Sequence, residues 1–269
     1  MQIKAALCQM TVVADKEANL EKAAQLIRSA ADAGCAIAVL PEMFNCPYDN
    51  RLFADYAETW PEGPSLKRLA ALAKETKMLV VGGSVPERYR GSLYNTAFVF
   101  DAQGTLLTRH RKMHLFDIDI PGGTFFQESA TLCAGREITV AQGSGIVFGL
   151  GICYDMRFPE LARSMTLKGA QILIYPGAFG PETGPAHWEL TLRARAVDNQ
   201  VFTLGVSPAP TQGEGYQAYG NSLAVDPWGR VLAKANRAEA LLVVELDLSL
   251  LDKVRQELPL LAHRRPLCY

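Results

Sequence analysis

Three short apolar runs in this chain each stop at a residue that either cannot extend a strand or can do chemistry. Residues 36–40 run into Pro41-Glu42, residues 146–152 into Cys153, and residues 171–175 into Pro176. Runs of this length, flanked by turn residues, read as buried strands. Proline ends a ladder because it has no amide hydrogen to donate. Helical spacing separates the strands. Leu20, Ala23, Ala24, Ile27 and Ala31 recur along one face, with Asp15 or Asn19 as the cap and Gly34 as the stop. Leu66, Leu69, Ala70 and Ala73 mark a second helix, 158–168 a third, 185–199 a longer fourth and 249–256 a last. Further strands fall at 3–9, 78–81, 93–100, 105–109, 138–140, 201–206 and 241–246. Strands alternating with helices require a layered fold, α/β or α+β with stacked sheets.

The end of the chain echoes an earlier part. Val99-Phe100-Asp101-Ala102-Gln103-Gly104 and Ala224-Val225-Asp226-Pro227-Trp228-Gly229 are both strand followed by an Asp-x-x-Gly turn, and another strand follows each. The chain therefore reads as two similar halves within one domain covering 1–269. The tail, 258–269, carries Pro259 and Pro266 among leucines, and we expect it at a subunit interface.

Several function classes drop out. A net charge of -1 gives no purchase for nucleic acid or an anionic membrane. The apolar runs are strand-length, too short to span a bilayer. The first residues read as a strand and not as a signal peptide. Six cysteines, irregularly spaced and without a CxxC pair, read as reduced thiols of a cytoplasmic protein. His110 and His114 lie four apart without a third ligand, so no metal is expected. Gly82-Gly83 is a close-packed turn, and there is no glycine-rich phosphate loop.

Glu42, Lys112 and Cys153 share one property: each falls just past the carboxyl end of a predicted strand. Singly they read as a loop carboxylate, part of a basic face and a small core residue. In layered folds, however, such strand ends converge on a common crevice. A carboxylate there can take the thiol proton, since the thiolate is the nucleophile. An ammonium can stabilise the oxyanion formed when a carbonyl is attacked, with the Tyr154 amide as second donor. Arg157 is the nearest cation for a substrate carboxylate, or else an ion-pair partner of Glu160 or Asp155. Tyr48, Phe116, Phe179 and Thr183 are candidates for the pocket wall, and His187 and Trp188 for packing.

The segments carrying these residues resemble the nitrilase superfamily of carbon–nitrogen hydrolases. They are Leu40-Pro41-Glu42, His110-Arg111-Lys112-Met113-His114-Leu115 and Gly151-Ile152-Cys153-Tyr154-Asp155-Met156-Arg157-Phe158-Pro159-Glu160. Phe126-Gln127-Glu128-Ser129 and Tyr175-Pro176-Gly177-Ala178-Phe179 look most like its omega-amidase branch, as do the stretches from Thr183 to Glu189 and from Arg195 to Gln200. The resemblance implies a four-layer αββα sandwich, commonly dimerised through helices. It implies Glu42 as general base, Lys112 as oxyanion stabiliser, Cys153 as nucleophile and Glu128 as an auxiliary carboxylate. It also implies a small-molecule amide substrate, with α-ketoglutaramate or α-ketosuccinamate as that branch's choice, and no cofactor. Other amidases, N-carbamoyl-amide hydrolases and nitrilases would use the same residues. A non-catalytic binding subunit would have no need of them.

Overall fold

The computed structural model describes residues 1–211 and 215–268. In chain order its elements are β1 (Gln2–Gln9), α1 (Lys16–Asp32), β2 (Ile37–Val39), α2 (Phe53–Tyr56), α3 (Pro64–Thr76), β3 (Leu79–Val81), β4 (Val85–Tyr89), β5 (Ser92–Phe100), β6 (Leu106–Arg111), β7 (Asp117–Asp119), β8 (Phe125–Gln127), β9 (Thr139–Gly143), β10 (Ile146–Leu150), α4 (Pro159–Leu167), β11 (Ile172–Pro176), α5 (Glu189–Asn199), β12 (Phe202–Val206), β13 (Leu223–Val225), β14 (Val231–Lys234), β15 (Ala240–Asp247) and α6 (Ser249–Glu257).

Two mixed sheets form. The first runs β15-β1-β2-β3-β5-β4, with β6 also paired to β5; the second runs β14-β13-β12-β11-β10-β9. Strand alternation sets the layers. Ile3, Ala5 and Leu7 of β1 face the second sheet and pack with Phe148 and Ile174. Their neighbours Ala6, Cys8 and Met10 face the other way, onto Leu20 and Ile27 of α1 and Leu69 of α3. On the second sheet, Leu161 and Met165 of α4 and Leu192 of α5 join the core with Phe202 and Leu204. The result is a four-layer αββα sandwich. Each fully buried Phe or Leu in it contributes roughly 2–3 kcal/mol by leaving water.

The two halves show the same construction. β1, β2 and β3 are parallel, as are β10, β11 and β12, and each trio is followed by an antiparallel partner, β5 or β13. Each partner turns back through its Asp-x-x-Gly sequence. The Asp101 carboxylate accepts from the Gln103 and Thr105 amides, and the Asp226 carboxylate from those of Trp228 and Arg230, at 2.9 Å in all four. Both hairpins also carry a register shift beside the turn.

Some expected boundaries move. β6 continues to Arg111, two residues further than the spacing predicts, because its pairing with β5 extends to Thr96. The fourth helix opens as a wide turn over Gly184–Trp188 before becoming regular, and Gly184 lies tight against the Tyr219 ring there. The hairpin β7–β8 is absent from the sequence reading. It lies outside both sheets, and its strands are three residues each with none of them fully buried, too short for an alternation to stand out. In the tail, Pro266–Cys268 forms a single turn with Leu267 fully exposed, and Tyr269 lies outside the described residues.

Candidate active site

Parallel strands bring their carboxyl ends to one edge of the sandwich, and the chain beyond each end carries a polar side chain inward. Past β2, Pro41 ends the ladder and Glu42 follows, 1% exposed. The next residue, Met43, has φ 50°, in the left-handed region. Its amide donates to Ser84 Oγ (3.0 Å), and the Ser84 amide donates to Pro41 O (3.3 Å). Gly83 allows that contact, since a Cβ there would sit 2.0 Å from the Pro41 carbonyl oxygen. Gly83 thus lets the chain pack closely against the segment that carries Glu42.

Past β10, Cys153 sits at φ 47° where the strand turns into a short helical turn, Cys153–Arg157. A non-glycine residue held in this region costs of order 1 kcal/mol or more and persists where function retains it. It is the geometry of a nucleophile elbow, which projects a side chain from a sharp strand-to-helix turn. Gly177, just past β11, makes room for the elbow: its Cβ would lie 3.3 Å from Cys153 Cα and 3.0 Å from the Trp188 ring. The Tyr154 amide lies in the first turn of the short helix, where amides lack an intrahelical acceptor.

Past β6, Lys112 is fully buried. Its amide donates to Asn95 O (2.8 Å) and its carbonyl accepts from the Gly135 amide (2.8 Å). Its ammonium lies 2.9 Å from Glu42 Oε1 and 2.9 Å from Glu128 Oε2, and donates to Tyr48 Oη (3.2 Å). Glu128, also fully buried, opens a short turn after β8. It accepts from the Phe116 amide (2.7 Å) and the Tyr48 hydroxyl (3.3 Å).

The cluster contains one residue the sequence reading passed over. Asn95 Nδ2 donates to both Glu42 Oε1 (2.8 Å) and Glu128 Oε1 (3.1 Å), so one amide spans the two carboxylates. The signal was present: Asn95-Thr96 is a polar pair inside an otherwise apolar strand, and buried polar groups require partners. Glu42 Oε2 has no nitrogen or hydroxyl partner among the described residues, and the remaining neighbour of that carboxylate is the Cys153 thiol.

Electrostatics assign the protons. Burial pushes the Cys153 thiol well above its ordinary range, and the Glu42 charge adds to this, outweighing Lys112 and the Ala178 amide. Burial also raises Glu42, helped by Glu128 and opposed by Lys112. For Lys112, burial alone would lower the pKa, but the charges of Glu128 and Glu42 more than reverse that. These directions favour the neutral thiol, set it beside a carboxyl group raised toward the range of a proton acceptor, and favour the charged ammonium between two acids.

The other candidates divide. Tyr48, Phe116 and Thr183 line a cavity of about 380 Å³ together with Phe126 and Tyr216. Tyr48, Tyr216 and Glu42 line a second, of about 510 Å³. Phe179 is buried against Trp188, ring centroids 5.0 Å apart. The Arg157 guanidinium lies over Phe179 (4.6 Å) and, more distantly, Tyr154 (5.7 Å), and it approaches His187 Nδ1 (3.1 Å). His187 is thus an exposed partner of Arg157, whereas Trp188 is core. Asp155 is occupied by His110 and His114, which explains that histidine pair without a metal.

A four-layer sandwich with a thiol, two carboxylates and an ammonium sealed at its strand ends has the equipment of a hydrolase that works by acyl transfer. The chain belongs to the carbon–nitrogen hydrolase family, whose model matches residues 4–256. It is 50% identical over 260 residues to an omega-amidase NIT2 from Bos taurus, covering 97% of this chain and 94% of that protein. It is 48% identical over 260 residues to the Homo sapiens omega-amidase NIT2, with the same coverage. The crystal structure of Saccharomyces cerevisiae Nit3, of branch 10 of the nitrilase superfamily, superposes with a TM-score of 0.91 at 42% identity over 98% and 97% of the two chains. A variant of the Nesterenkonia sp. AN1 amidase, with the acetamide moiety of fluoroacetamide covalently added at its active-site cysteine, gives 0.81 at 27% identity over 96% and 95%. No helix among the described residues is long and apolar enough to cross a membrane.

Proposed function

We propose that this protein is an omega-amidase, releasing ammonia from the terminal amide of α-ketoglutaramate or α-ketosuccinamate through a thioester on Cys153. The observation that carries the reading is the buried thiol beside a carboxylate oxygen without a nitrogen or hydroxyl partner among the described residues, with an ammonium 2.9 Å from that same carboxylate. The near identity in length and the 50% identity to omega-amidases support the substrate class.

Glu42 takes the thiol proton as sulfur attacks the amide carbon. The oxyanion forms against the Lys112 ammonium and the Tyr154 amide. Glu42 then returns the proton to the departing nitrogen, which leaves as ammonia. A water enters, gives its proton to Glu42 and adds to the thioester. The second oxyanion collapses to the carboxylic acid, and Glu42 reprotonates the thiolate. Glu128, through Asn95, Tyr48 and its own contact, keeps Lys112 aimed. Thr183, in the cavity wall, is the group offered to the substrate's far carboxylate, whereas Arg157, the cation the sequence suggested, lies against Phe179 and His187 and lines neither cavity. The scheme requires no cofactor.

Ammonia release from α-ketoglutaramate should exceed that from glutamine, simple aliphatic amides, N-carbamoyl amino acids and nitriles. A chain showing no preference for the keto-acid amide is not an omega-amidase. Because the base titrates at a raised value, kcat/KM should fall on the acid side with its midpoint above the ordinary glutamate value of about 4.3. The sign follows from the role. The base acts deprotonated, so activity is present above its pKa and lost as pH falls through it. An acid limb at or below the ordinary value would remove Glu42 from that role.

The cytoplasm and a homodimer or higher homo-oligomer complete the reading. All six thiols are free, which suits a reducing compartment. Leu190 and Val197 of α5, with Leu258 at the start of the 258–269 tail, expose apolar surface of the kind a second subunit would cover. Sedimentation at micromolar concentration tests the dimer.

A further inference from the structure

His110 and His114 flank Lys112 two residues to either side, and Asp155 lies two residues past Cys153. The Asp155 carboxylate is fully buried and is the point where these two segments meet. Oδ2 accepts from the Ile152 amide (2.9 Å) and lies 3.0 Å from His110 Nε2. Oδ1 accepts from the amides of Met113 (3.2 Å) and His114 (2.9 Å) and lies 2.7 Å from His114 Nδ1. The far side of each ring is also held. His110 Nδ1 is 2.9 Å from Thr139 Oγ1, and the His114 ring stacks on Phe158 with centroids 3.6 Å apart.

Five contacts on one carboxylate exceed what a single turn requires. An N-terminal cap for the helical turn after Cys153 would need only the Ile152 contact. The other four all run to the segment carrying Lys112. We propose that Asp155 is a positioning residue: with His110 and His114 it fixes the Lys112 ammonium relative to the Cys153 thiol, so that one oxyanion site lies between them. This rests on the roles given above to Lys112 and Cys153. The physical reason is reach. Lys112 has four rotatable bonds, and its Nζ can hold a fixed place only if both its ion partners and its backbone are fixed. Glu42 and Glu128 hold the head, and Asp155 holds the backbone to the elbow. A displacement of about 1 Å between reacting groups can cost on the order of 100-fold in rate.

The test is kcat and KM for α-ketoglutaramate, per folded molecule, in Asp155→Asn, His114→Ala and His114→Asn. Asp155→Asn should lose about 100-fold in kcat with KM changed less than about threefold. His114 is partly exposed, so its variants fold even where Asp155→Asn does not. His114→Ala should lose about tenfold, and His114→Asn should recover most of that, since its amide nitrogen can take the place of Nδ1. A purely structural role would lower the melting temperature and leave kcat per folded molecule unchanged in all three, and that result overturns the proposal. Cys153→Ala and Lys112→Met run alongside. If those two are inactive while the Asp155 and His114 variants are not, the clamp fails alone. If those two retain turnover, the site reading beneath it fails.

Discussion

Cys153→Ala should abolish ammonia release, by about 10⁴-fold or more, while leaving the fold intact. A nucleophile and its base act as a unit, so removing one costs nearly as much as removing both. The structural cost is small. The side chain lost is one sulfur, and alanine at φ 47° carries the same backbone strain as cysteine, so stability should change by about 1 kcal/mol or less. Mass mapping after treatment with a haloacetamide checks the assignment independently of turnover. The wild-type protein should carry an adduct on Cys153 that forms in step with loss of activity. Cys8, Cys35 and Cys46 are buried as Cys153 is, but none has Glu42 beside it to take the thiol proton, so they should react more slowly. Cys133 and Cys268 are exposed and will react in both proteins, so the adduct must be placed by peptide and not by total mass. Wild-type turnover in Cys153→Ala, or inactivation without an adduct on Cys153, would sink the thioester route.

The layers were legible because each half repeats a strong local pattern. Apolar runs ended by Pro41 or Pro176 could only be buried strands, and α1 carries its cap at Asp15 and its stop near Gly34 as read, with Asp15 accepting from the Ala18 amide. Cys153, Lys112 and Glu42 could be grouped from their shared place past strand ends, and the structure brings all three together. What the sequence hid is long-range and polar. Asn95 joins Glu42 and Glu128 across 53 and 33 positions, and no local pattern reports which buried carboxylates one amide will meet. Glu128 follows a hairpin too short to announce itself, and only the resemblance pointed to it. Arg157 shows the opposite failure. Sequence proximity suggested ion pairs with Asp155 or Glu160, yet Asp155 is filled by histidines 41 and 45 positions away, and Arg157 lies over aromatic rings instead. Local spacing finds the elements, while the partners of a buried charge depend on what the closed sandwich leaves within reach.

Lys112→Met should be nearly as inactive as Cys153→Ala, and it should also change how stability responds to pH. On the chemical side, losing a cation aimed at the oxyanion costs on the order of 10³-fold in kcat. On the structural side, methionine fills much the same volume but leaves Glu42 and Glu128 facing each other, both fully buried. Breaking a buried ion pair by removing one partner costs about 3–5 kcal/mol, because the remaining charge is uncompensated. For a chain of this size that is a fall in melting temperature on the order of 10 °C at neutral pH. The sign with pH then follows. Lys112 is the main group opposing the raised pKa of Glu42; without it only the Cys153 contact works against burial and Glu128, and the carboxyl goes higher. A carboxyl whose folded pKa exceeds its unfolded value of about 4.3 binds its proton more tightly when folded. Stability in the variant must therefore rise as pH falls from neutrality toward that value, as the carboxylates take up the proton that replaces the ammonium. In the wild-type protein Glu42 is also raised but Lys112 opposes the rise, so the gain over the same window is smaller. Melting curves of the two proteins between neutrality and about pH 5 should converge, with the gap closing on the acid side. A gap independent of pH would mean that packing around Lys112, and not its charge, holds the two glutamates together.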